Sequence, residues 1–349
     1  MAKINKELGN IILDFIKQNP LISSKQIDDG LNNAFGYATI KRALQNLVAE
    51  NFITISGRGK STKYEVSRTY ELIRNINVEE YFQKEIDERK IQDQFNHSLI
   101  REVLSNAPLF TESELHHLTE LQNQYRENIS KLTETEYKKE LERLAIDLSW
   151  KSSQIEGNTY SLLETERLLK EKEAAVGKTK DEATMLLNHK VALDFIIDHP
   201  TYVKRLSLSG IEDIHSLLVK ELDIDRNIRR SKVGISGTNY KPLDNEFQIK
   251  EALEELCELV NKEENVFAKA LFVLVLISYI QAFADGNKRT ARIISNAILM
   301  NNNYCPISFR TVDSIDYKKA MLIFYEQNNI SAFKKIFIDQ FEFAVKTYF

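Results

Sequence analysis

Apolar residues recur along most of the chain at the three-to-four-residue spacing of an amphipathic helix. Ile11, Ile12, Phe15 and Ile16 show this spacing near the start, and the stretch Val266–Ile280 is apolar almost throughout. The 349 residues include only 11 glycines and 5 prolines, the residues that interrupt helices. The pattern predicts a mostly α-helical protein, and the length suits two or three domains.

The first 68 residues follow another order, in which three helices precede two short strands. Helices are predicted near residues 11–16, 24–31 and 37–51, and alternating residues 52–55 and 62–66 flank a basic, glycine-containing turn. This order resembles a winged helix-turn-helix domain. Ten basic and six acidic residues also give the segment a local excess of positive charge.

In a winged helix, the third helix and the hairpin loop are the parts that reach nucleic acid. We expect Thr39, Lys41 and Arg42 on the exposed face of the third helix, and Arg58 and Lys60 in the loop. The resemblance implies that these side chains contact DNA bases and phosphates. A domain that mediates only protein contacts is the alternative, because the net charge of the whole chain, -4, gives no general case for nucleic acid.

The rest of the chain divides by composition. Residues 69–139 are charged and contain no glycine, and they predict a helical connector in which Pro108 and the helix cap Thr111 mark a break. Residues 140–349 form the main helical domain. Nothing resembles a signal peptide or a membrane span, so the cytoplasm is the expected compartment. Cys257 and Cys305 are interpreted as reduced core thiols.

A polar loop after the helix Val266–Ile280 carries the most informative chemistry. Gly286 permits a tight backbone that points consecutive N–H groups at one anion. Arg289 and Arg292 follow three residues apart, at the start of the next helix, whose N-terminus favours negative charge. Together these features predict a phosphate-binding loop. Asp285 is an acid in an anion site, which makes sense if it holds Mg²⁺ that bridges phosphates.

This loop resembles the motif of the Fic family. Six positions match the motif in order: Phe283, Asp285, Gly286, Asn287, Arg289 and Arg292. The resemblance covers about residues 140–345 and implies a helical Fic core with a short β-hairpin flap. It also implies ATP and Mg²⁺ as ligands, and transfer of AMP from ATP to protein hydroxyls. The implied nucleotide-binding residues are Gly234, Gly286, Asn287, Lys288, Arg289 and Arg292.

Two further segments resemble parts of Fic proteins. Residues 231–242 resemble the flap, which implies that Ile235, Ser236 and Gly237 align an extended target segment by main-chain pairing. Residues 152–158 resemble the inhibitory motif and predict an inhibitory helix near residues 145–157. By this resemblance, Glu156, with Ser152, pairs with Arg292 and holds ATP in an unproductive pose.

One position departs from the family pattern. Gln281 stands where Fic proteins carry the histidine that removes the proton from the attacking hydroxyl. An amide does not titrate near neutral pH, and losing a general base typically costs about 10²–10⁴-fold in rate. None of the six histidines lies in the loop, and His215 is interpreted as a packed core residue. Nucleotide binding is therefore the safer prediction, and AMP transfer is weak or lost.

Three functions stay open at this point. One is a nucleotide-binding Fic protein, inhibited by Glu156, whose nucleotide tunes DNA binding by the winged helix. A second is a restrained adenylyltransferase, since an inhibitory glutamate suggests an activity to inhibit. A third is a non-catalytic scaffold whose flap binds a peptide strand. The resemblance also allows a homo-oligomer, because Fic cores often form dimers.

Overall fold

The computed structural model describes the backbone of residues 2–32, 34–67 and 69–349, and the side chains in these ranges except those of residues 2–7, Lys60 and Asn106. The predicted DNA contact of Lys60 therefore lies outside the described side chains. The chain clusters into two compact units. One comprises Met1–Asn75 with Asn106–His116, and the other comprises Ile76–Ser105 with His117–Phe349. The predicted domain limits at residues 68 and 139 stay predictions.

The N-terminal unit has the predicted order of three helices and a hairpin. Its elements are α1 (Ala2–Gln18), α2 (Ser24–Gly30), α3 (Tyr37–Ala49), β1 (Ile53–Ser56), β2 (Lys63–Val66) and α4 (Tyr70–Ile73). The strands pair antiparallel, with Ile53 opposite Val66. Ser23 caps α2 through a reciprocal pair of hydrogen bonds with Gln26. α3 ends before the predicted Asn51, whose positive φ of 60° cannot continue a right-handed helix.

In the remainder of the chain, the regular elements that the structure describes are helices. Its helices are α5 (Val78–Tyr81), α6 (Glu112–Ile129), α7 (Glu134–Ile155), α8 (Leu162–Glu171), α9 (Lys180–Asp198), α10 (Leu208–Leu218), α11 (Glu246–Lys262), α12 (Val266–Ile280), α13 (Asn287–Asn301), α14 (Ser314–Gln327) and α15 (Ser331–Tyr348). The prediction of a mostly helical protein is confirmed. Thr111 caps the start of α6 with Glu114, as predicted.

α12 lies at the centre of the large unit and has the bounds that the apolar stretch predicted. It is buried along nearly its whole length, and α13 packs closely against it. Burial on all sides explains why its sequence is apolar without one preferred face. Across the described residues, no helix combines the length and the apolar character that a membrane span requires. Cys257 and Cys305 are both buried and free, as predicted.

α7 starts earlier than the predicted inhibitory helix near residues 145–157. Thr133 caps it through a capping box with Glu136, and the helix then continues to Ile155. Glu156 follows directly as the residue that ends the helix. The predicted inhibitory segment is therefore the last part of a long helix, which positions Glu156 through a rigid element.

The flap segment, residues 231–242, differs from the predicted β-hairpin. Within the described residues it forms no strands, and it turns at Gly237, whose φ is 88°. Its arms are held by side-chain and backbone groups from outside the segment instead of by each other. Arg229 donates to the carbonyl oxygens of Ser231, at 2.7 Å, and Leu243. Lys241 forms a single bridge, in parallel orientation, with Gln94.

Candidate functional site

The loop between α12 and α13 is a closed turn that its own side chains brace. α12 ends at Gln281 in the left-handed region, with φ 52°, and Gly286, with φ 84°, precedes α13. The Asn287 side chain accepts a hydrogen bond from Phe283 N at 2.9 Å and donates one to Phe283 O at 2.8 Å. Asn287, a predicted nucleotide contact, therefore also fixes the loop backbone.

His215 of α10 supports this loop from behind. Its ring stacks on Phe283 with 3.6 Å between centroids, and its Nε2 lies 2.9 Å from Asp285 O. Burial lowers the pKa of His215, which favours the neutral ring. A Cβ at Gly286 would lie 3.3 Å from the same ring. The ring is fully buried, as the core interpretation predicts, and it contributes to the loop's shape.

Gln281 turns its amide into the loop's hydrogen-bond network. Its Nε2 donates to Ser278 O at 2.6 Å, and its Oε1 accepts from Asn287 Nδ2 at 3.2 Å. Its own carbonyl accepts from Arg229 Nε at 2.6 Å. Gln281 therefore closes the end of α12, and its neutral amide offers no proton acceptor comparable to an imidazole.

Glu156 reaches the start of α13 and contacts two cations there. Its Oε1 accepts from Arg292 Nη2 at 2.8 Å, and its Oε2 accepts from Lys288 Nζ at 3.0 Å. Ser152 completes the arrangement, because its Oγ accepts from Arg292 Nε at 2.8 Å and its carbonyl from Nη2 at 3.0 Å. Arg292 is fully buried, and its guanidinium lies 5.2 Å from the centroid of the Tyr317 ring.

Charge pairing dominates the titration of Glu156. Burial by itself would raise its pKa, but the charges of Arg292 and Lys288, together with their hydrogen bonds, outweigh burial and lower the pKa to about 2. The carboxylate is therefore ionised throughout the neutral range. The ion pairs hold it in place while leaving 15% of its side chain exposed.

These elements enclose a cavity of about 400 Å³. The end of α7, the flap segment, the loop and α14 all contribute to its wall. Among the residues predicted from the sequence, those that line it are Glu156, Gly234, Ile235, Ser236, Gln281, Asp285, Gly286, Asn287 and Lys288. Ser152, Gly237, Arg289 and Arg292 do not line it. Arg289 and Arg292 are buried behind the loop and the Glu156 contact.

α14 supplies wall residues that the sequence analysis missed. Lys318, Met321, Leu322 and Tyr325 all line the cavity. Their spacing of three, four and seven residues places them on one face of the helix. That periodicity was visible in the sequence, but nothing local distinguished this face from one that packs in the core.

Asp285 stands at the mouth of the cavity with 56% of its side chain exposed. Its Oδ2 accepts from Arg289 Nη2 at 2.8 Å, which leaves the other carboxylate oxygen available. Among the described residues, no group of three or more His, Cys, Asp or Glu side chains could hold a metal. One carboxylate nevertheless fits Mg²⁺, because this ion commonly takes one or two protein carboxylates and completes its shell with phosphates and water.

In the N-terminal unit, Thr39, Lys41 and Arg42 are exposed on α3, and Arg58 is exposed at the tip of the hairpin. The Lys41 ammonium lies 4.9 Å from the centroid of the Tyr37 ring. Ser61 Oγ accepts from Arg58 N and donates to Arg58 O, which shapes the tip. The predicted DNA-contact side chains that the structure describes are therefore exposed to solvent.

The region around the loop is similar in sequence to known proteins. Residues 205–299 match the model of the Fic/DOC family. The chain is 28% identical over 162 residues to a protein adenylyltransferase Fic of Culex quinquefasciatus, and 29% identical over 169 residues to that of Aedes aegypti. These alignments cover 44% of this chain but only 31% and 32% of the relatives, so the chain spans about a third of their length.

Solved structures agree in fold. Fic-1 of C. elegans matches with a TM-score of 0.57 and 20% identity, over 68% of this chain and 72% of that one. A Fic domain containing signaling protein of Bacteroides thetaiotaomicron matches with a TM-score of 0.57 and 19% identity, over 66% and 94%. The helical core of this chain therefore has the Fic fold, and its residues 205–299 are similar to the Fic/DOC family.

Proposed function

We propose that this chain binds ATP in the cavity beside the loop and that Glu156 holds it in an inhibited state. The observation that carries the proposal is the Glu156–Arg292 contact, because a carboxylate occupies the place where an anionic ligand would meet this arginine. A carboxylate on an arginine fork uses the same donors as a phosphate. Removing Glu156 would free both Arg292 and Lys288 for phosphate oxygens.

The backbone around Gly286 supports phosphate binding. The first turn of α13 follows this glycine, and Gly286, Asn287 and Lys288 line the cavity. A helix start leaves its first N–H groups without intrahelical partners, and the helix dipole favours negative charge there. Lys288 lines the cavity and adds a cation. The apolar side chains of Met321 and Leu322 and the ring of Tyr325 offer a surface of the kind that a nucleobase packs against.

Asp285 would hold Mg²⁺ together with the phosphates. The ion, when bound, neutralises phosphate charge and polarises the phosphoryl group. The chain's own part is to present one oxygen of Asp285 while Arg289 fixes the other at 2.8 Å. His215 fixes the backbone of the same residue through its carbonyl.

The site is poorly suited to the transfer of AMP to a protein hydroxyl. Among the described residues, no histidine lines the cavity. His215 lies behind the loop with both ring nitrogens facing carbonyl oxygens, and His189 is buried in α9. Gln281 can orient a hydroxyl but cannot take its proton. We therefore propose that the transfer is slow or absent, while nucleotide binding is retained.

The flap segment would present a target protein to the cavity. Ile235 and Ser236 line the wall, so an extended segment bound along the flap would pass close to the phosphates. If the flap binds a target protein but no AMP is transferred, the protein would act as a scaffold. With or without catalysis, the partner protein would bind at the flap. We propose that the protein acts in the cytoplasm. Homo-oligomerisation is a proposal from the family alone.

A second function is favoured by the N-terminal unit. Its order of three helices and a hairpin resembles a winged helix, and Thr39, Lys41, Arg42 and Arg58 are exposed on the third helix and the hairpin tip, the parts that would contact DNA in such a domain. A nucleotide-responsive DNA-binding regulator would join both units in one function. It requires that DNA affinity change when ATP is added and fall steeply with salt concentration.

The deciding experiment incubates the Glu156→Gly protein with Mg²⁺ and ATP labelled at the α-phosphate, alone and in cell extract, beside the Glu156→Gly/Gln281→His protein. Equilibrium binding of ATP is measured on both and on the unchanged chain. Tighter ATP binding by both variants, with labelling confined to the double variant, is the expected result. Labelling by the single variant would identify a restrained enzyme, and failure of all three proteins to bind ATP would refute the nucleotide proposal.

A further inference from the structure

The flap segment lacks the internal pairing that would hold a β-hairpin, so its position depends on other parts of the chain. Arg229 secures its base through the carbonyls of Ser231 and Leu243. The turn at Gly237 lies at the opposite end and needs an anchor of its own. That anchor comes from residues far earlier in the sequence.

The anchoring residues belong to Ile76–Ser105, which we call the strap. Arg89 Nη2 donates to Gly237 O at 2.7 Å, and Asn239 Nδ2 donates to Asp87 Oδ1 at 2.8 Å. Lys241 N donates to the carbonyl of Asp93 at 2.8 Å. The strap therefore provides the hydrogen-bond partners that a second flap strand would otherwise provide.

Arg89 connects the flap to the cavity wall as well. Its Nη1 lies 3.2 Å from Glu326 Oε2, and both side chains are almost completely buried, at 3% and 1% exposure. Glu326 also accepts from Tyr81 Oη at 2.6 Å, and its backbone carbonyl accepts from Gln92 N at 2.7 Å. A rigid guanidinium group can donate hydrogen bonds to the carboxylate and to the flap carbonyl at the same time, in fixed directions.

Glu326 lies on α14, next to the cavity residue Tyr325. The same helix places Leu322 against the flap turn, where a Cβ on Gly237 would meet its Cδ1 at 3.3 Å. One guanidinium thus relates the flap turn to the helix that forms the facing wall. The flap and α14 both line the cavity, so an extended segment that docks along the flap would enter the cavity between them.

We propose that Arg89 is a positioning residue that fixes the turn of the flap segment, so that the strap sets the surface on which an extended protein segment docks. The partner class is a protein with an extended, hydroxyl-bearing segment. This inference rests on the proposed function for the role of the flap, and it adds the residue and the segment that control it.

The test replaces the buried pair by a neutral one, in the Arg89→Met/Glu326→Gln protein. This double change leaves no unpaired buried charge and keeps an acceptor for Tyr81, so we expect the fold to be retained. Hydrogen exchange is measured over residues 231–243, with α12 and α13 as internal references. We expect exchange in the flap to become about tenfold faster, because a charge-assisted hydrogen bond no longer opposes local opening, while the references stay unchanged.

Arg101→Met is the matched control. Arg101 lies on the strap too and pairs with Glu251 and Glu255, but it makes no contact with the flap among the described hydrogen bonds. We expect flap exchange to stay unchanged in this variant. Unchanged flap exchange in the Arg89→Met/Glu326→Gln protein, or equal acceleration throughout the unit, would overturn the proposal.

A second readout separates positioning from general stability. In the Glu156→Gly/Gln281→His background, the apparent KM for the labelled acceptor protein should rise about tenfold on changing Arg89 and Glu326, while the apparent KM for ATP stays the same. A fall in kcat with both KM values unchanged would count against docking. If the background fails to bind ATP, the proposed function fails, but flap exchange still decides the role of Arg89.

Discussion

Lys288 Nζ lies 3.0 Å from Glu156 Oε2, although the two residues are 132 positions apart in the chain. The other carboxylate oxygen of Glu156 is bound to Arg292 at 2.8 Å. Each oxygen therefore has a separate cation, and the carboxylate bridges the first and second turns of α13. The resemblance to Fic proteins implied only the arginine contact, so the lysine is a second restraint found in the structure.

The Lys288–Glu156 pair should contribute measurable coupling. We expect a double-mutant cycle with Glu156→Gln and Lys288→Met to give about 1 kcal/mol of interaction free energy in chemical unfolding, because both side chains are mostly but not completely buried. The value should shrink in 1 M salt, which screens partly exposed charges. A coupling energy of zero at low salt would mean that the contact is not maintained in solution.

The pH dependence of stability should reflect the lowered pKa of Glu156. Its value of about 2 in the folded chain lies below the ordinary 4.5, so the folded state favours the ionised form. The stabilisation is complete above about pH 4.5 and is lost as the pH falls toward 2. The difference in unfolding free energy between the unchanged chain and Glu156→Gln should be constant from pH 5 to 8 and decrease below pH 4.5. A decrease that starts near pH 7 would contradict the assigned pairing.

Gly286→Ala should disturb the loop. The position has φ 84°, a region that costs an L-residue roughly 1–2 kcal/mol. The added Cβ would lie 3.3 Å from His215 and Val219, so the supporting ring would have to move. We expect a lower melting temperature together with weaker ATP binding in the Glu156→Gly background. Gly177→Ala is the control, because it has φ 79° and no atom within 4 Å of the added Cβ. Equal effects of both substitutions on ATP binding would refute a local role for the contact.

Asn287→Asp should be strongly destabilising although it keeps the side-chain shape. The amide donates to Phe283 O at 2.8 Å, and a carboxylate would place an acceptor there in a site that is 4% exposed. We expect a loss of about 2–4 kcal/mol in unfolding free energy. Asn245→Asp is the matched control, since Asn245 caps α11 and its Oδ1 accepts from Phe247 N and Gln248 N. Aspartate caps equally well, so this variant should be near neutral.

Much of the local structure followed from the sequence because it depends on neighbours within one or two turns. The apolar run defined α12, the capping residue Thr111 placed the start of α6, and glycine at position 286 indicated a tight turn. The chemistry of the loop was also readable, because its charges and its glycine lie within twelve consecutive residues. The Fic resemblance identified Glu156 as a partner for Arg292, a contact the structure contains.

Contacts between distant segments were decided by tertiary packing alone. The second cation on Glu156, the hold of Arg89 on Gly237 and the α14 face in the cavity wall depend on the relative placement of helices, which no local pattern specifies. The flap was predicted as a hairpin from its resemblance to Fic proteins, yet its backbone groups bond to the strap and to Arg229. A backbone donor needs a partner but not a particular one, so the residues of the flap could not tell pairing within the flap from pairing with another segment.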